Sequence, residues 1–587
     1  MDVLIPDCIL LTHEEARKDV NHCSITEIRS PFAPFSFVYL ATSNTMTWYP
    51  NLVEWINKND GYINPALILK ETAADARGIY ANEDIAKGAP LVRLPAKLAV
   101  SGNGFPSTYK YQSTDGELER LASPWLRCII TVISTYITKD CKYEQYMKSL
   151  PETYETLLHR KSWSDRDIEI YLAGTTIGKM VLQDRQSNTL RTRFDSSVKP
   201  YMEANGLTKK TKLEDDELFD FFLMACACVS TRGFHLKENN GDLSTPDNAY
   251  SGPFLLPFID LLNHSSNQKD KCTTLKRRTV TPGQSNNVIA QDGFFMTAER
   301  DVKKGEEILH SYGNGLTSGQ LLQTFGFVER SLVDRAINGV FPGDIDNDVT
   351  PAILSKECII QACVHVALSK IPQDLEKQII ASSESEMQDF DVWELPSAQS
   401  LTDRNSNAVK KQIPNDIIVN FAQPMSDDLV TLCCAQFLPD EAFDEISEID
   451  GNGESNLTML SSDILEDLFL GSLVLRAIQH AVQMRLLEYT SLNLPAIIVL
   501  DGGKSDDASI LKAAIDKNRP PGRECMHATY GLTLRIEEKA SLNQLKEMCS
   551  DQLNSLGRSE DENNQQSLEV NGKDSYNTEN SPKRQKL

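Results

Sequence analysis

The sequence predicts an α+β protein: a β-rich domain interrupted by a helical insert and followed by a mostly α-helical domain. Short alternating, β-branched runs with Gly and Pro turns occur before residue 100 and again after residue 250. Amphipathic helical patterns fill the interval between them, at about 110–240, and return after residue 340. A chain of 587 residues is also too long for a single hydrophobic core.

Composition limits the possible function classes. The hydrophobic fraction of 40% and the charged fraction of 24% are ordinary for a soluble protein. The formal net charge of −24 argues against a nucleic-acid groove, because binding phosphates requires a basic face. An acidic surface suits a basic protein partner, although it also simply keeps a protein in solution.

The cysteines and the first fifty residues indicate the cellular compartment of the protein. The 13 cysteines include the close pairs Cys226/Cys228 and Cys433/Cys434, whose spacing does not make a zinc site, so we expect no metal and reduced thiols. No apolar run approaches the roughly 20 residues of a membrane helix. The first fifty residues are too acidic for a signal or transit peptide. We therefore expect a cytoplasmic or nuclear protein with no membrane partner.

The chain begins with an extension, residues 1–50, that shows no period or motif and whose role is unknown. The first domain, residues 51–333, opens with a short amphipathic helix that places Leu52, Trp55 and Ile56 on one side. The segment that follows alternates like a strand and turns at Lys87-Gly88.

This first β-rich segment contains an octapeptide that recurs later in the chain. Residues 81–88 (AlaAsnGluAspIleAlaLysGly) match residues 298–305 (AlaGluArgAspValLysLysGly). In both copies an Asp precedes an apolar residue, and a Lys-Gly turn leads into another strand. Two unrelated hairpins with common turn chemistry could look alike, but the matched spacing favours a shared local structure.

The helical insert ends in its clearest helix. Leu218, Phe221, Phe222, Ala225 and Val229 lie on one stripe of this pattern. The aspartates at 215 and 216 stand near its start, where the helix dipole favours negative charge. Its C-terminal end delivers the Thr-Arg-Gly-Phe step at 231–234, and residues 237–252 read as a loop.

The second domain, residues 340–550, consists of amphipathic helices separated by polar, acidic stretches. Residues 551–587 are rich in Asn, Gln, Glu, Asp and Ser and poor in apolar residues, which predicts a disordered tail. The basic cluster in the terminal SPKRQKL is either a nuclear import signal or a chance occurrence.

The stretch from Pro253 to Phe327 organises the first domain. An apolar run stops abruptly at Asn263-His264, and Tyr312-Gly313 follows a strand farther along. Burying polar side chains such as these costs about 1–3 kcal/mol each unless they are hydrogen-bonded. A later aromatic pair, Phe325 and Phe327, predicts a narrow aromatic channel beside them.

Taken in order, these motifs resemble the SET-domain methyltransferases, in particular the branch that includes the plant Rubisco large-subunit methyltransferase. The resemblance rests on Arg77-Gly78, Leu150-Pro151, Trp163, Thr231-Arg232-x-Phe234, Asp260-Leu-Leu-Asn263-His264 and Tyr312-Gly313. It implies short curved sheets with one segment threaded through a loop over 51–333, and a helical substrate-binding domain over 340–550. This branch lacks the zinc clusters that flank many SET domains, as does this chain.

The resemblance also implies a reaction: transfer of a methyl group from S-adenosylmethionine to a side-chain nitrogen of a protein. Tyr312 would be the catalytic residue, orienting the amine at the transfer point. Asn263 would hydrogen-bond the amino-acid end of the cofactor, and His264 would place its backbone beside the adenine. The alternatives are a core tyrosine and a turn-forming Asn beside a buried His.

Further cofactor contacts follow from the same resemblance. Asp260 would line the pocket or support the Asn-His strand. Arg77 and Gly78 would lie on the first cofactor-contacting strand, unless Gly78 is an ordinary strand-entry glycine. Arg232 would pair with the cofactor carboxylate, unless it is only a cation at a helix C-terminus.

Two phenylalanines bear on the substrate. Phe234 would form an apolar channel wall, as in the lysine-directed relatives, whereas the histidine-methylating branch has an Asn there. Phe327 would be a second wall, or plain core. We therefore expect a monomeric protein-lysine N-methyltransferase acting on a non-histone protein such as a ribosomal protein. A histidine methyltransferase and an inactive SET-like interaction protein are the alternatives.

Overall fold

The computed structural model describes two compact units, which we take in turn. The residues that it describes are 48–73, 76–102, 123–138, 142–150, 163–211, 213–237, 250–278, 292–313, 315–341, 349–369, 414–438, 465, 468–489, 507–516 and 523–573. The first unit draws on Met1–Asp165, Met180–Leu316 and Leu321–Glu329, and the second on Arg166–Lys179, Thr317–Gln320 and Arg330–Leu587. The predicted extension therefore lies almost wholly outside the described residues, as do the SPKRQKL cluster and Pro151.

Short strands make up the β part of the first unit. They are β1 (Tyr62–Ile63), β2 (Leu67–Ala73), β3 (Ala76–Ala81), β4 (Pro90–Pro95), β5 (Val100–Ser101), β6 (Gly233–Lys237), β7 (Tyr250–Leu255), β8 (Asn263–His264), β9 (Thr273–Arg278), β10 (Gly293–Ala298) and β11 (Leu309–His310). Antiparallel sheets have the orders β1-β4-β10-β9, β5-β7-β6 and β2-β3, and β8 pairs with β11 in parallel.

Helices precede the strands and fill the predicted insert. They are α1 (Trp48–Lys58), α2 (Pro124–Ile137), α3 (Glu144–Met147), α4 (Asp165–Tyr171), α5 (Thr176–Ser187), α6 (Thr189–Arg193), α7 (Lys199–Ala204), α8 (Leu207–Thr211) and α9 (Asp215–Arg232). Together with the sheets they confirm the α+β class. The threading of one segment through a loop stays a prediction.

Helix α9 shows why the sequence forms the predicted helix there. Glu214 and Glu217 exchange hydrogen bonds with each other's backbone N–H groups, which satisfies two donors at the helix start. Leu218, Phe222 and Val229 are buried on the predicted stripe. The helix ends at Arg232, and Gly233 leads directly into β6.

The two octapeptide copies do share a local structure, and they bind each other. Their central apolar residues exchange backbone hydrogen bonds, both of 2.9 Å, between Ile85 and Val302. The terminal glycine of each copy donates to the first alanine of the other at 2.8 Å: Gly88 to Ala298, and Gly305 to Ala81. The prediction of a common local structure is therefore confirmed, and its cause is a reciprocal pairing.

The aspartates of the copies complete this reciprocity. The Asp301 carboxylate accepts the Lys87 N–H at 2.8 Å, and the Asp84 carboxylate accepts the Lys304 N–H at 2.8 Å. Each Lys-Gly turn is thus capped by the Asp of the other copy. These hydrogen bonds, with salt bridges such as Lys303 to Asp84, hold the pKa of Asp84 below its usual value.

The second unit is helical apart from one small sheet. Its elements are α11 (Arg330–Asn338), β12 (Ala352–Ser355), α12 (Lys356–Leu368), β13 (Asp416–Val419), α13 (Asp427–Phe437), α14 (Leu468–Leu487), α15 (Asp507–Asp516) and α16 (Arg523–Lys573). Helix α10 (Ser318–Phe325) begins in this unit and ends in the first. None of the helices in the described part of the chain is long and apolar enough to span a membrane.

Helix α16 runs past residue 551, where composition predicts that a disordered tail begins, and ends at Lys573. Composition indicates whether a segment has enough apolar residues to be buried in a core. A helix that is already anchored, however, extends by adding one hydrogen bond per residue. The buried residues Leu542, Leu545 and Cys549 provide that anchor. Residues 574–587 lie outside the described part of the chain.

Two adjacent carboxylates on α16 explain why short segments from elsewhere in the sequence belong to the second unit. Glu537 is fully buried and accepts hydrogen bonds from Ser318 Oγ at 2.8 Å and the Thr350 N–H at 3.0 Å. Glu538, equally buried, accepts the N–H of Thr176 at 2.9 Å. Thr176 is the first residue of α5, so its N–H has no acceptor within the helix, whereas Ser318 at the start of α10 contributes its side-chain hydroxyl.

Glu538 also contacts two groups that stabilise its charge. Arg485 lies 3.2 Å from the carboxylate, and the Tyr489 hydroxyl donates to it. Desolvation nevertheless outweighs them and raises the pKa of Glu538 to about 7.

We predict that alanine at the turn glycines destabilises the first unit through backbone strain alone. Gly88 and Gly305 have φ of +81° and +91°, and an added Cβ would meet nothing within 4 Å. Gly88→Ala and Gly305→Ala should each cost about 1–2 kcal/mol in the free energy of unfolding, measured in urea. Gly88→Asn and Gly305→Asn should cost less, because Asn tolerates this conformation. Equal losses for Ala and Asn would contradict this account.

We further predict a pH dependence that originates at Glu538. Because its folded-state pKa of about 7 exceeds the ordinary 4.5, its stabilising contribution is complete below pH 4.5 and is lost as the pH rises to 7. Glu538→Gln should flatten the decline of the urea midpoint over that range. Glu488→Gln, on an exposed neighbouring carboxylate, is the matched control. An identical slope in wild type and Glu538→Gln would exclude Glu538 as the source.

Candidate active site

A short parallel strand pair brings the two most informative motifs together. Strand β8 places Asn263 beside Leu309 and His264 beside His310. Because β11 runs on towards Tyr312, the tyrosine arrives next to a histidine that is 48 residues away in the sequence. The pairing needs no long element, only two residues in each strand.

The backbone N–H and the side-chain hydroxyl of Tyr312 are both hydrogen-bonded, the first to β8 and the second to the residue that precedes β8. Its N–H donates to His264 Nδ1 at 3.0 Å, and its hydroxyl donates to the Leu262 carbonyl at 2.8 Å. Burial raises the pKa of Tyr312 to about 12, so the phenol remains protonated at neutral pH. The hydroxyl can therefore orient or polarise a neighbouring group but is no ready source of a phenolate base.

The hydrogen bonds of His264 define its tautomer. Nδ1 accepts from Tyr312, so in the neutral ring the proton is on Nε2, which lies 3.1 Å from Ser266 Oγ. Desolvation lowers the pKa of His264, although the carboxylate of Glu329, 4.0 Å from Nε2, partly opposes this. A buried, neutral His264 acts as a fixed support for the Tyr312 backbone.

Aromatic rings surround this support, as the sequence predicted. Tyr312 lies 5.0 Å from His264 and 4.8 Å from Phe325, measured between ring centroids. Phe327 lies 6.4 Å from both His264 and Phe325. Phe325 therefore packs directly on Tyr312, whereas Phe327 reaches it through Phe325 and His264, and the role of these rings as walls of a narrow channel stays a prediction.

Asn263 presents its amide in a fixed orientation. Its Nδ2 donates to the Arg77 carbonyl at 2.8 Å and to Glu307 Oε1 at 2.7 Å. The residue is otherwise exposed. Both amide hydrogens are thereby used, and Oδ1 is the atom left to accept a hydrogen bond from a ligand.

Gly78 and Arg77 contribute their backbone to this site. A Cβ at Gly78 would lie 2.2 Å from Glu307 Oε1 and 3.1 Å from Asn263 Nδ2, so only glycine lets these groups approach. The Arg77 guanidinium points to other partners, the Ser149 carbonyl at 3.2 Å and the ring of Trp48 at 5.3 Å. The structure thus gives a steric reason for a glycine at position 78, in addition to its place at the entry of a strand.

Asp260 and Arg232 form a buried pair beneath the Asn-His strand. Arg232 donates to the Asp260 carbonyl at 2.7 Å and lies 3.5 Å from its carboxylate, which also accepts the Tyr146 hydroxyl at 2.7 Å. Burial raises the pKa of Asp260 despite these partners. Its Oδ1 has no hydrogen-bond partner among the described residues. The Arg232 guanidinium therefore supports the strand in the structure, and contact with a ligand carboxylate stays a prediction.

Phe234 lies on β6, and its ring is 6.1 Å from that of His310. Desolvation lowers the pKa of His310 to about 4, so this neighbour is neutral. Phe234 has no recorded ring contact with Tyr312, and its role as a channel wall stays a prediction.

Two site residues were missed by the sequence analysis. Glu307 follows the second octapeptide copy and lies opposite Tyr80, the residue before the first copy, so the repeat indicates its position only once the two copies are known to pair. Tyr146 lies in the helical insert on α3, where an aromatic residue in an amphipathic pattern gives no functional signal. Within the described residues no group of three or more His, Cys, Asp or Glu side chains could hold a metal ion.

Comparison with known proteins agrees with this geometry. Residues 76–313 match the SET domain family. N-lysine methyltransferase setd6 of Salmo salar is 24% identical over 45% of this chain and 54% of its own length. The chloroplastic ribulose-1,5-bisphosphate carboxylase/oxygenase large subunit N-methyltransferase of Nicotiana tabacum is 20% identical over 47% of this chain and 50% of its own. The chain spans about half the length of the curated relatives it matches.

A solved structure extends the likeness of fold over most of the chain. The SET domain of LSMT bound to lysine and AdoHcy has a TM-score of 0.53 and 15% sequence identity, covering 87% of this chain and 93% of that one. Residues 76–313, which contain Gly78, Asn263-His264 and Tyr312, thus match the SET domain family, and the fold of the chain is similar to that of LSMT.

Proposed function

We propose that this protein is an S-adenosylmethionine-dependent protein-lysine N-methyltransferase. The observation that carries the proposal is the Tyr312 hydroxyl, fixed on the Leu262 carbonyl inside a cluster of aromatic rings and directly beside Asn263-His264. The names of the Salmo salar and Nicotiana tabacum relatives, both N-methyltransferases, support it.

The residues present fit the cofactor. Asn263 offers Oδ1 as an acceptor, and Asp260 has a buried Oδ1 without a partner among the described residues. S-adenosylmethionine would supply an electrophilic methyl group on a sulfonium. The cofactor would be held by Asn263, His264, Asp260, Gly78 and the backbone at Arg77, with Arg232 behind the strand.

The protein's own residues would contribute position and desolvation to the reaction. A protonated Tyr312 and a neutral His264 supply no strong base, so the lysine must arrive as a neutral amine. An apolar, ring-lined surrounding favours the neutral form by disfavouring the charged one. Holding amine and methyl in line then accounts for most of the rate gain.

Lysine is the proposed target because Phe234 offers an apolar surface and no hydrogen-bonding group for an imidazole. We further propose a non-histone protein substrate, recognised by the helical residues 340–550 and favoured by the net charge of −24 if its target region is basic. We also propose a cytoplasmic or nuclear location, a compartment in which thiols such as those of Cys433 and Cys434 stay reduced.

We predict that Tyr312→Phe lowers methyl transfer about 100-fold to 1,000-fold, because it removes the preorganised hydroxyl that would orient the amine at the transfer point. The measurement uses full-length protein, methyl-labelled S-adenosylmethionine and a cell extract, with mass spectrometry to identify the labelled residue. Tyr136→Phe, a matched change on the distant helix α2, should keep full activity.

The outcomes separate the alternatives. Label on histidine would contradict the argument from Phe234. Wild-type protein that neither binds the cofactor nor transfers label would favour an inactive interaction protein. Equal activity in Tyr312→Phe and wild type would remove Tyr312 from the mechanism.

A further inference from the structure

We propose that the outer face of the four-stranded sheet, formed by Tyr62, Arg93, Phe295, Lys276 and Arg278, binds single-stranded nucleic acid. The face belongs to the first unit, and none of its residues takes part in the site of the proposed methyl transfer. The inference is therefore independent of the proposed function and concerns a second binding surface.

The strand register places four of these side chains in one row. Arg93 of β4 is the direct partner of Tyr62 on β1 and of Phe295 on β10, and Lys276 of β9 is the partner of Phe295. Direct partners in antiparallel strands point to the same side of a sheet, and neighbouring strands lie about 4.8 Å apart. An aromatic ring and a cation therefore alternate across all four strands.

Arg278 joins this row from the next outward position of β9. Its guanidinium lies 4.8 Å from the centroid of the Phe295 ring, whereas the intervening Arg277 lies 4.7 Å from the ring of Phe254, a buried residue of β7. The Lys-Arg-Arg run at 276–278 thus sends two cations to the outer face and one to the opposite side. A guanidinium over a ring forms a flat surface on which a base can stack.

The outer face is a local concentration of positive charge in an acidic chain. Its three cations are exposed, and they have no carboxylate partner in the described part of the chain. Asp60 is close enough to Arg93 to feel its charge, but it forms its salt bridge with Lys97, at 2.8 Å. The sequence from 272 to 291 contains three basic residues and no acidic one. A ligand on this face therefore meets cations that are free to pair with it.

The formal net charge of −24 does not prevent such binding. At physiological ionic strength, exposed charges are screened beyond a Debye length of about 8 Å. A ligand on the outer face therefore responds chiefly to the cations beside it and only weakly to carboxylates elsewhere on the surface. Net charge is an average over the chain and conceals this local reversal of sign.

The alternation of rings and cations favours a nucleic acid over an acidic protein segment. Phosphates pair with arginine and lysine, and every base has a π-face that stacks on an aromatic ring or a guanidinium. A carboxylate-rich peptide would use only the cations and leave the half-buried rings of Tyr62 and Phe295 without a role. A single strand fits better than a duplex, because paired bases are not free to stack on a flat sheet.

The experiment measures binding of a fluorescently labelled ten-nucleotide oligouridine to the full-length protein by fluorescence anisotropy. Three cations on a single strand predict a slope of about −2 for log affinity against log salt, or about a twentyfold loss of affinity between 50 and 200 mM salt. Lys276→Gln and Arg93→Gln should each reduce the size of this slope by about 0.7. Lys304→Gln, a matched loss of an exposed lysine on the second octapeptide, should leave it unchanged.

The rings distinguish base stacking from simple charge attraction. Phe295→Leu keeps an apolar side chain but removes the ring, and it should weaken binding about tenfold. Tyr62→Leu gives a second test if Phe295→Leu fails to fold. Unchanged affinity in the folded ring variants, or equal competition by a ten-residue polyglutamate peptide, would overturn the proposal in favour of an acidic protein partner. Absence of saturable oligouridine binding to wild type at 50 mM salt would also overturn it.

Discussion

The backbone of residues 305–312 is the element on which the site depends, because it hydrogen-bonds to segments that are far apart in the sequence. Gly305 and Ile308 donate to residues 81 and 79 of β3, and β11 pairs in parallel with β8. One extended segment thus sets the positions of Gly78, Asn263 and Tyr312 together. A displacement of this segment would move all three, so its hydrogen bonds constrain the site more than any single side chain.

The reciprocal octapeptides explain why that segment stays in place. Each copy satisfies backbone donors and acceptors of the other, and each Asp caps the opposite Lys-Gly turn. Hydrogen bonds contribute little individually, about 0.5–1.5 kcal/mol each. Their effect here is geometric, because six such bonds in a two-fold pattern permit only one register between residues 81–88 and 298–305. Glu307 follows directly from this pairing and reaches Asn263 as a result.

The sequence predicted the fold class, the insert and the chemistry-bearing motifs because these follow from local patterns. The stripe of α9, the Lys-Gly turns and the polar pair that ends an apolar run can all be read within a few residues. Glu307 and Tyr146 could not be identified in this way, since their importance comes from partners across the chain, Asn263 and Asp260. The extent of α16 does not follow from the sequence, because composition describes burial and not the continuation of an anchored helix.

The second unit also depends on buried hydrogen-bond acceptors, which here are two carboxylates on α16. Glu537 and Glu538 are fully buried, at a desolvation cost of several kcal/mol per charge if both are ionised. Such a cost is tolerated when the carboxylates bind groups that otherwise lack partners, and here the N–H of Thr176 at the start of α5 is one of them.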